Sequence, residues 1–130
     1  MLKKDLKFKG DKKKAKELAA FYTPLPLAKQ MTKMFSGPLK GKTVLDPACG
    51  YGNLLLAVLE KKVEEGEHPL KALSEIYGIE LIKENRNICI KNIFKWCIDQ
   101  NLLKLESKEK LVKFIARKIK IGDALDPKNY

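Results

Sequence analysis

The segment Thr43-Val44-Leu45-Asp46-Pro47-Ala48-Cys49-Gly50-Tyr51-Gly52-Asn53 leaves the chain little choice of fold. A short apolar run reads as a buried strand, a Gly-x-Gly turn follows it, and Leu54 to Leu59 is apolar on all sides. That last run reads as a helix buried against a sheet. Glycine at 50 and 52 lets the backbone approach a ligand closely and adopt positive φ where a Cβ would clash. The helix start behind the turn offers unpaired N–H groups. Asp46, at the strand's end, repels a phosphate and suits a cation. The segment therefore favours an amino-acid-like, positively charged ligand over most nucleotide phosphates.

Two rival motifs fail on position. Gly41-Lys42-Thr43 resembles the tail of a phosphate-binding loop, but its upstream glycine would fall at Ser36, and a strand follows instead of a helix. A dinucleotide fingerprint would need glycine at position 55, which is Leu55.

Along the chain, Asp11 to Ala20 reads as a short helix that stops before Phe21-Tyr22-Thr23-Pro24. Pro24 and Pro26 lack amide donors and restrict their predecessors. Leu27, Met31, Met34 and Phe35 recur at helical spacing, which predicts a helix from about Leu25 to Phe35, ended by Ser36-Gly37-Pro38. Glu64 to Pro69 reads as a polar loop and Ile76 to Leu81 as a second strand. A long helix is predicted from Lys83 to Leu103, with Ile90, Ile93, Phe94, Cys97 and Ile98 on one face. Leu111, Phe114 and Ile115 mark a further helical stretch, and Lys118 to Ile121 a third strand. Strands alternating with helices point to a parallel sheet with right-handed crossovers, an α/β fold of the Rossmann type.

Two more acidic residues stand at strand ends. Glu80 closes the second strand, where a carboxylate in a Rossmann-type half accepts ribose hydroxyls. Asp123 follows the third strand in Ile121-Gly122-Asp123-Ala124-Leu125, where it can accept from an exocyclic amine. The competing reading is that each merely terminates its strand or caps a helix. Three carboxylates at consecutive strand ends would form one ligand-facing row.

Charge separates the first residues from the rest. The chain carries +11, and eight lysines against two aspartates within residues 1–16 supply +6 of it. Such an arm is drawn to nucleic-acid phosphates by counterion release, and equally serves as a solvated terminus. With 45% hydrophobic and 33% charged residues, the 130-residue chain is too apolar for a disordered polymer and long enough for one core. No apolar run approaches the roughly 20 residues of a membrane span. Met1 to Lys16 lacks the apolar stretch of a signal peptide, so a cytoplasmic setting is expected. Three cysteines (Cys49, Cys89 and Cys97) are too few for a disulfide framework. Cys89 and Cys97 are expected to pack rather than bind metal, and His68, the only histidine, gives little support to a zinc site. Trp96, among polar neighbours, is expected to be half exposed.

In order along the chain, Phe21-Tyr22-Thr23-Pro24, Asp46-Pro47-Ala48-Cys49-Gly50-Tyr51-Gly52-Asn53, Tyr77-Gly78-Ile79-Glu80-Leu81 and Gly122-Asp123-Ala124-Leu125 resemble four blocks of the amino-group DNA methyltransferases, specifically the adenine-N6 type of restriction–modification systems. The resemblance implies an S-adenosylmethionine cofactor and DNA as partner. By it, Thr23 and the backbone near Phe21, with Tyr22 and Pro24, would hold the methionine carboxylate. Asp46 and the turn through Pro47, Ala48, Cys49, Gly50, Gly52 and Asn53 would take the ammonium and pass near the sulfonium. Glu80, beside Leu81, would bind the ribose, and Asp123 the adenine amine, with Ala124 or Leu125 against the ring.

The departure lies at the catalytic motif. The family acts on a flipped base through Asn- or Asp-Pro-Pro-Tyr or -Phe. Here Asp126-Pro127-Lys128-Asn129-Tyr130 breaks that pattern, and no apolar strand leads into it. The expectation is a basic arm over residues 1–20 and an incomplete methyltransferase domain over 21–130. That domain would hold the cofactor yet be inactive alone, as a fragment or one piece of a split enzyme with a second subunit. Alternatives are a basic nucleic-acid-binding or decoy module of the same fold, or a methyltransferase for another amino group. The first strand is expected centrally, its far edge left unpaired and prone to association.

Overall fold

The computed structural model describes residues 25–33, 35 and 37–126. The predicted 11–20 helix and the Phe21–Pro24 block lie outside them. Among the described residues nine elements follow in order: α1 (Leu25–Thr32), β1 (Val44–Asp46), α2 (Asn53–Glu64), α3 (Pro69–Ser74), β2 (Ile76–Glu80), α4 (Lys83–Asp99), a 3-10 turn (Leu102–Lys104), α5 (Lys108–Lys118) and β3 (Ile119–Ile121). The strands form one parallel sheet in the order β1-β2-β3. Val44 pairs with Ile76 and Asp46 with Gly78, while Gly78 pairs with Ile119 and Glu80 with Ile121. The α/β architecture with three parallel strands and flanking helices matches the sequence reading. Among the described residues β1 and β3 lie at the two ends of the sheet, and the far edge of β1 has no strand partner.

The core sits between one sheet face and the helices. Leu55, Val58 and Leu59 of α2, Cys89, Ile93 and Cys97 of α4, and Leu111 and Ile115 of α5 pack against Ile76 and Ile119. Alternation along the strands turns Leu45, Tyr77 and Lys120 to the other face, where all three are exposed.

Several boundaries differ from the sequence reading for local reasons. The first helix stops at Thr32, whose hydroxyl bonds back to Lys29 O, and Phe35 is exposed outside it. Pro69, taken as the end of a loop, instead starts α3: proline at the first helical position needs no amide partner, and His68 caps the helix through Nδ1 to Leu70 N at 3.1 Å. The long helix ends at Asp99 because Asn101 takes up a left-handed conformation at φ 60°. Trp96 is 5% exposed, not half exposed, since it shares the buried face of α4 with Cys89 and Ile93. Leu54 and Leu56 are only partly buried, so α2 is not enclosed on every side.

Candidate functional site

The turn after β1 is built by two tight approaches. Gly52 sits at φ 89°, and a Cβ on it would lie 2.7 Å from Cys89 Sγ. A Cβ on Gly78, in β2, would lie 2.9 Å from Cys49 Sγ. The two buried thiols thus fill the space that these glycines leave, and Cys49 hydrogen-bonds Cys89. That contact, then burial, pushes the Cys49 thiol far up, so it stays protonated and packs. Burial likewise pushes Cys97 up to about 12. Gly50 is also left-handed, at φ 54°. Asn92 of α4 donates to Tyr51 O at 3.0 Å and pins the turn from outside; nothing in the sequence pattern singled it out.

Glu80 is 1% exposed and holds this turn from the end of β2. Its Oε1 accepts from Gly50 N at 2.8 Å, and its Oε2 accepts from Ile82 N at 3.0 Å. A carboxylate has about four lone-pair positions, so two remain. Asp46 is partly buried beside it and accepts from Ala48 N at 3.1 Å. Burial pushes the Asp46 carboxyl above its usual range, the Ala48 amide opposes this, and the Glu80 charge adds to it. Cys49 N bonds Ile79 O at 3.0 Å, which draws the turn over the end of β2.

Asp123 is brought to the same edge, since Gly122 N bonds Glu80 O at 3.0 Å. Its own carboxylate accepts from Leu125 N at 2.9 Å, and the side chain is exposed. Leu125 is 90% exposed and Leu81 is exposed as well. Asp46, Glu80 and the glycine turn therefore form one contiguous unit, with Asp123 on a separate loop beside it. Among the described residues no group of His, Cys, Asp and Glu could hold a metal ion, and no helix is long and apolar enough to cross a membrane.

This strand–turn–helix, with Asp46 and Glu80, lies within residues 8–120, which match the family model for N-6 DNA methylases, while Asp123 falls just beyond the matched range. The chain belongs to the N-6 DNA methylase family. It is also similar to the type II methyltransferase M.AccI of Acinetobacter calcoaceticus, with 43% identity over 49 residues. That stretch is 38% of this chain and 9% of the relative, so the chain matches only a small part of that enzyme. No solved structure matches the chain.

Membership among the N-6 DNA methylases implies S-adenosylmethionine as methyl donor. The residues present fit a ligand of that charge. Asp46 is a desolvated carboxylate next to a second carboxylate, and no basic group among the described residues contributes to its shift. A bound ammonium would relieve that repulsion, whereas a phosphate would worsen it.

Proposed function

We propose that the chain is the S-adenosylmethionine-binding part of a site-specific adenine-N6 DNA methyltransferase from a restriction–modification system. In this reading residues 21–130 belong to a Rossmann-like methyltransferase fold, and the basic arm over residues 1–20 meets DNA. The observation that carries it is the pairing of Asp46 with Glu80 around the Gly50–Gly52 turn. Asp46 takes the cofactor's ammonium. Glu80, which anchors Gly50, offers its remaining lone pairs to the ribose hydroxyls. Asp123, Ala124 and Leu125 complete the pocket from the loop after β3, and the family resemblance assigns Thr23 to the methionine end of the cofactor. The bound cofactor supplies a methyl group on a sulfonium centre. Residues 1–130 hold no Pro-Pro-aromatic sequence, so they bind the cofactor and transfer methyl only when a segment with such a motif is supplied.

Calorimetric titration with S-adenosylhomocysteine tests the reading. Binding should be saturable, and Asp46→Ala should weaken it by about 1–3 kcal/mol through loss of a charge-assisted hydrogen bond. No heat at submillimolar ligand, or equal affinity in the variant, defeats it. DNA binding that falls steeply with salt, ignores the cofactor and survives Gly50→Val would support the nucleic-acid module instead.

A further inference from the structure

Helix α4 has more apolar surface than the core uses. It buries Asn85, Cys89, Ile93, Trp96 and Cys97 inward, yet Ile88 and Ile98 on its other sides are 38% and 43% exposed. A helix that is apolar on more than one side calls for a second cover. Ile90, Phe94 and Ile98, with Val112 of α5, wall a groove of about 440 Å³ between the two helices. Its rim is cationic: Lys91 and Lys95 stand on one side and Lys108 on the other. Lys108 Nζ lies 5.9 Å from the Phe94 ring centroid. None of the three lysines joins an ion pair among the described residues.

We propose that this groove docks an amphipathic helix of another protein, with an apolar stripe flanked by glutamate or aspartate. From Ile90 to Ile98 the floor runs about 12 Å at 1.5 Å per residue, close to the span of helix anchors at i, i+4 and i+7. Charge selects the occupant. A second copy would set lysine against lysine on a chain carrying +11. The chain's own first 16 residues carry +6 and are repelled for the same reason. Nucleic acid would find phosphate partners on the rim, but between the lysines the walls are mainly aliphatic and phenyl, and Asn87 is the one lining side chain that could hydrogen-bond a base edge. An acidic flank around an apolar stripe satisfies both rim and floor. This site is independent of the cofactor edge and of the function proposed for it.

A fluorescein-labelled synthetic helix, long enough to be helical at about 18 residues, is the probe: leucines at i, i+3, i+4 and i+7, glutamates on the flanks. Titrated with the full chain, it should bind saturably. Lys91→Glu with Lys95→Glu should weaken it about tenfold or more, a difference of at least about 1.4 kcal/mol. A peptide with lysines in place of the flanking glutamates should prefer that double variant over the original chain. Ile98→Asp should remove binding of both peptides. All three positions are exposed, and unchanged circular dichroism melts would confirm that the variants fold. The proposal is overturned if the acidic peptide fails to saturate, or if its affinity ignores the charge reversal. It is equally overturned if the groove instead takes a DNA duplex or a second copy, read as Lys91- and Lys95-dependent duplex binding or Ile98-dependent dimerisation without peptide binding.

Discussion

At the scale of single residues, the ligand role proposed for Asp46 and its place in the fold pull against each other. A ligand with a positive group needs its negative charge, while the folded chain resists that charge because the side chain is desolvated and Glu80 stands beside it. Its carboxyl is raised in the folded state. The stability it contributes is therefore fully present below the unfolded value, near pH 4, and is lost as pH rises through the folded value. Asp46→Asn keeps an oxygen for Ala48 N and carries no charge. In the absence of ligand this variant should melt higher than the original chain at pH 7, and the advantage should vanish below about pH 4. S-adenosylhomocysteine should meanwhile bind it more weakly. A variant that melts lower at pH 7 would mean the carboxylate is not under electrostatic strain.

At the scale of elements, one buried cation ties three segments together. Lys62 of α2 is fully buried and donates to Leu39 O at 2.8 Å, Lys42 O at 2.5 Å and Glu75 Oε1 at 2.6 Å, with Glu67 Oε1 at 3.4 Å. Glu65 accepts from Leu39 N and Lys40 N, and Glu67 from Gly41 N, so the approach to β1 is clamped on both sides. Removing the cation strands two carboxylates in the interior, so Lys62→Met should cost about 3–5 kcal/mol in urea unfolding. A loss under 1 kcal/mol would mean that water already reaches the cluster. Burial raises the Glu75 carboxyl, but hydrogen bonding with Lys62 and Glu67 and the charges of Lys62 and Lys71 together hold it below its usual range. The stability it contributes is thus present above the ordinary glutamate range and lost as pH falls through the folded value. Lys62 looks like any solvated lysine in Lys61-Lys62, and only the path of the 39–42 segment makes it a core residue. Trp96 is hidden for the converse reason: its sequence neighbours are polar, but its neighbours at i−3 and i−7, Ile93 and Cys89, share the buried face. The strands, the glycine turn and the carboxylates at strand ends were legible because period and spacing encode them. The inward engagement of Glu80 and the support from Asn92 were not, because both depend on how two elements meet.

At the scale of the molecule, hydrophobic surface and net charge oppose each other. One face of the parallel sheet exposes Leu45, Tyr77 and Lys120 around a hollow of about 350 Å³ that Lys118 also lines. Parallel sheets are ordinarily covered on both faces, and the outer edge of β1 has no strand partner among the described residues. Both features favour association. Lys118 moderates this, since its ammonium lies 4.3 Å from the Tyr77 ring centroid and bonds the Tyr77 hydroxyl at 3.1 Å. β1 is three residues long, about 10 Å of template, and two copies at +11 each repel. The balance should therefore move with salt. Near 0.01 M ionic strength, where charges act over about 30 Å, sedimentation should find monomers. Near 1 M, where the range falls to about 3 Å, self-association should rise with protein concentration. Leu45→Lys should restore the monomer at high salt by charging the face beside the open edge. Assemblies that dissolve as salt is added would instead be held by ion pairs, and the exposed sheet face would not be what joins them.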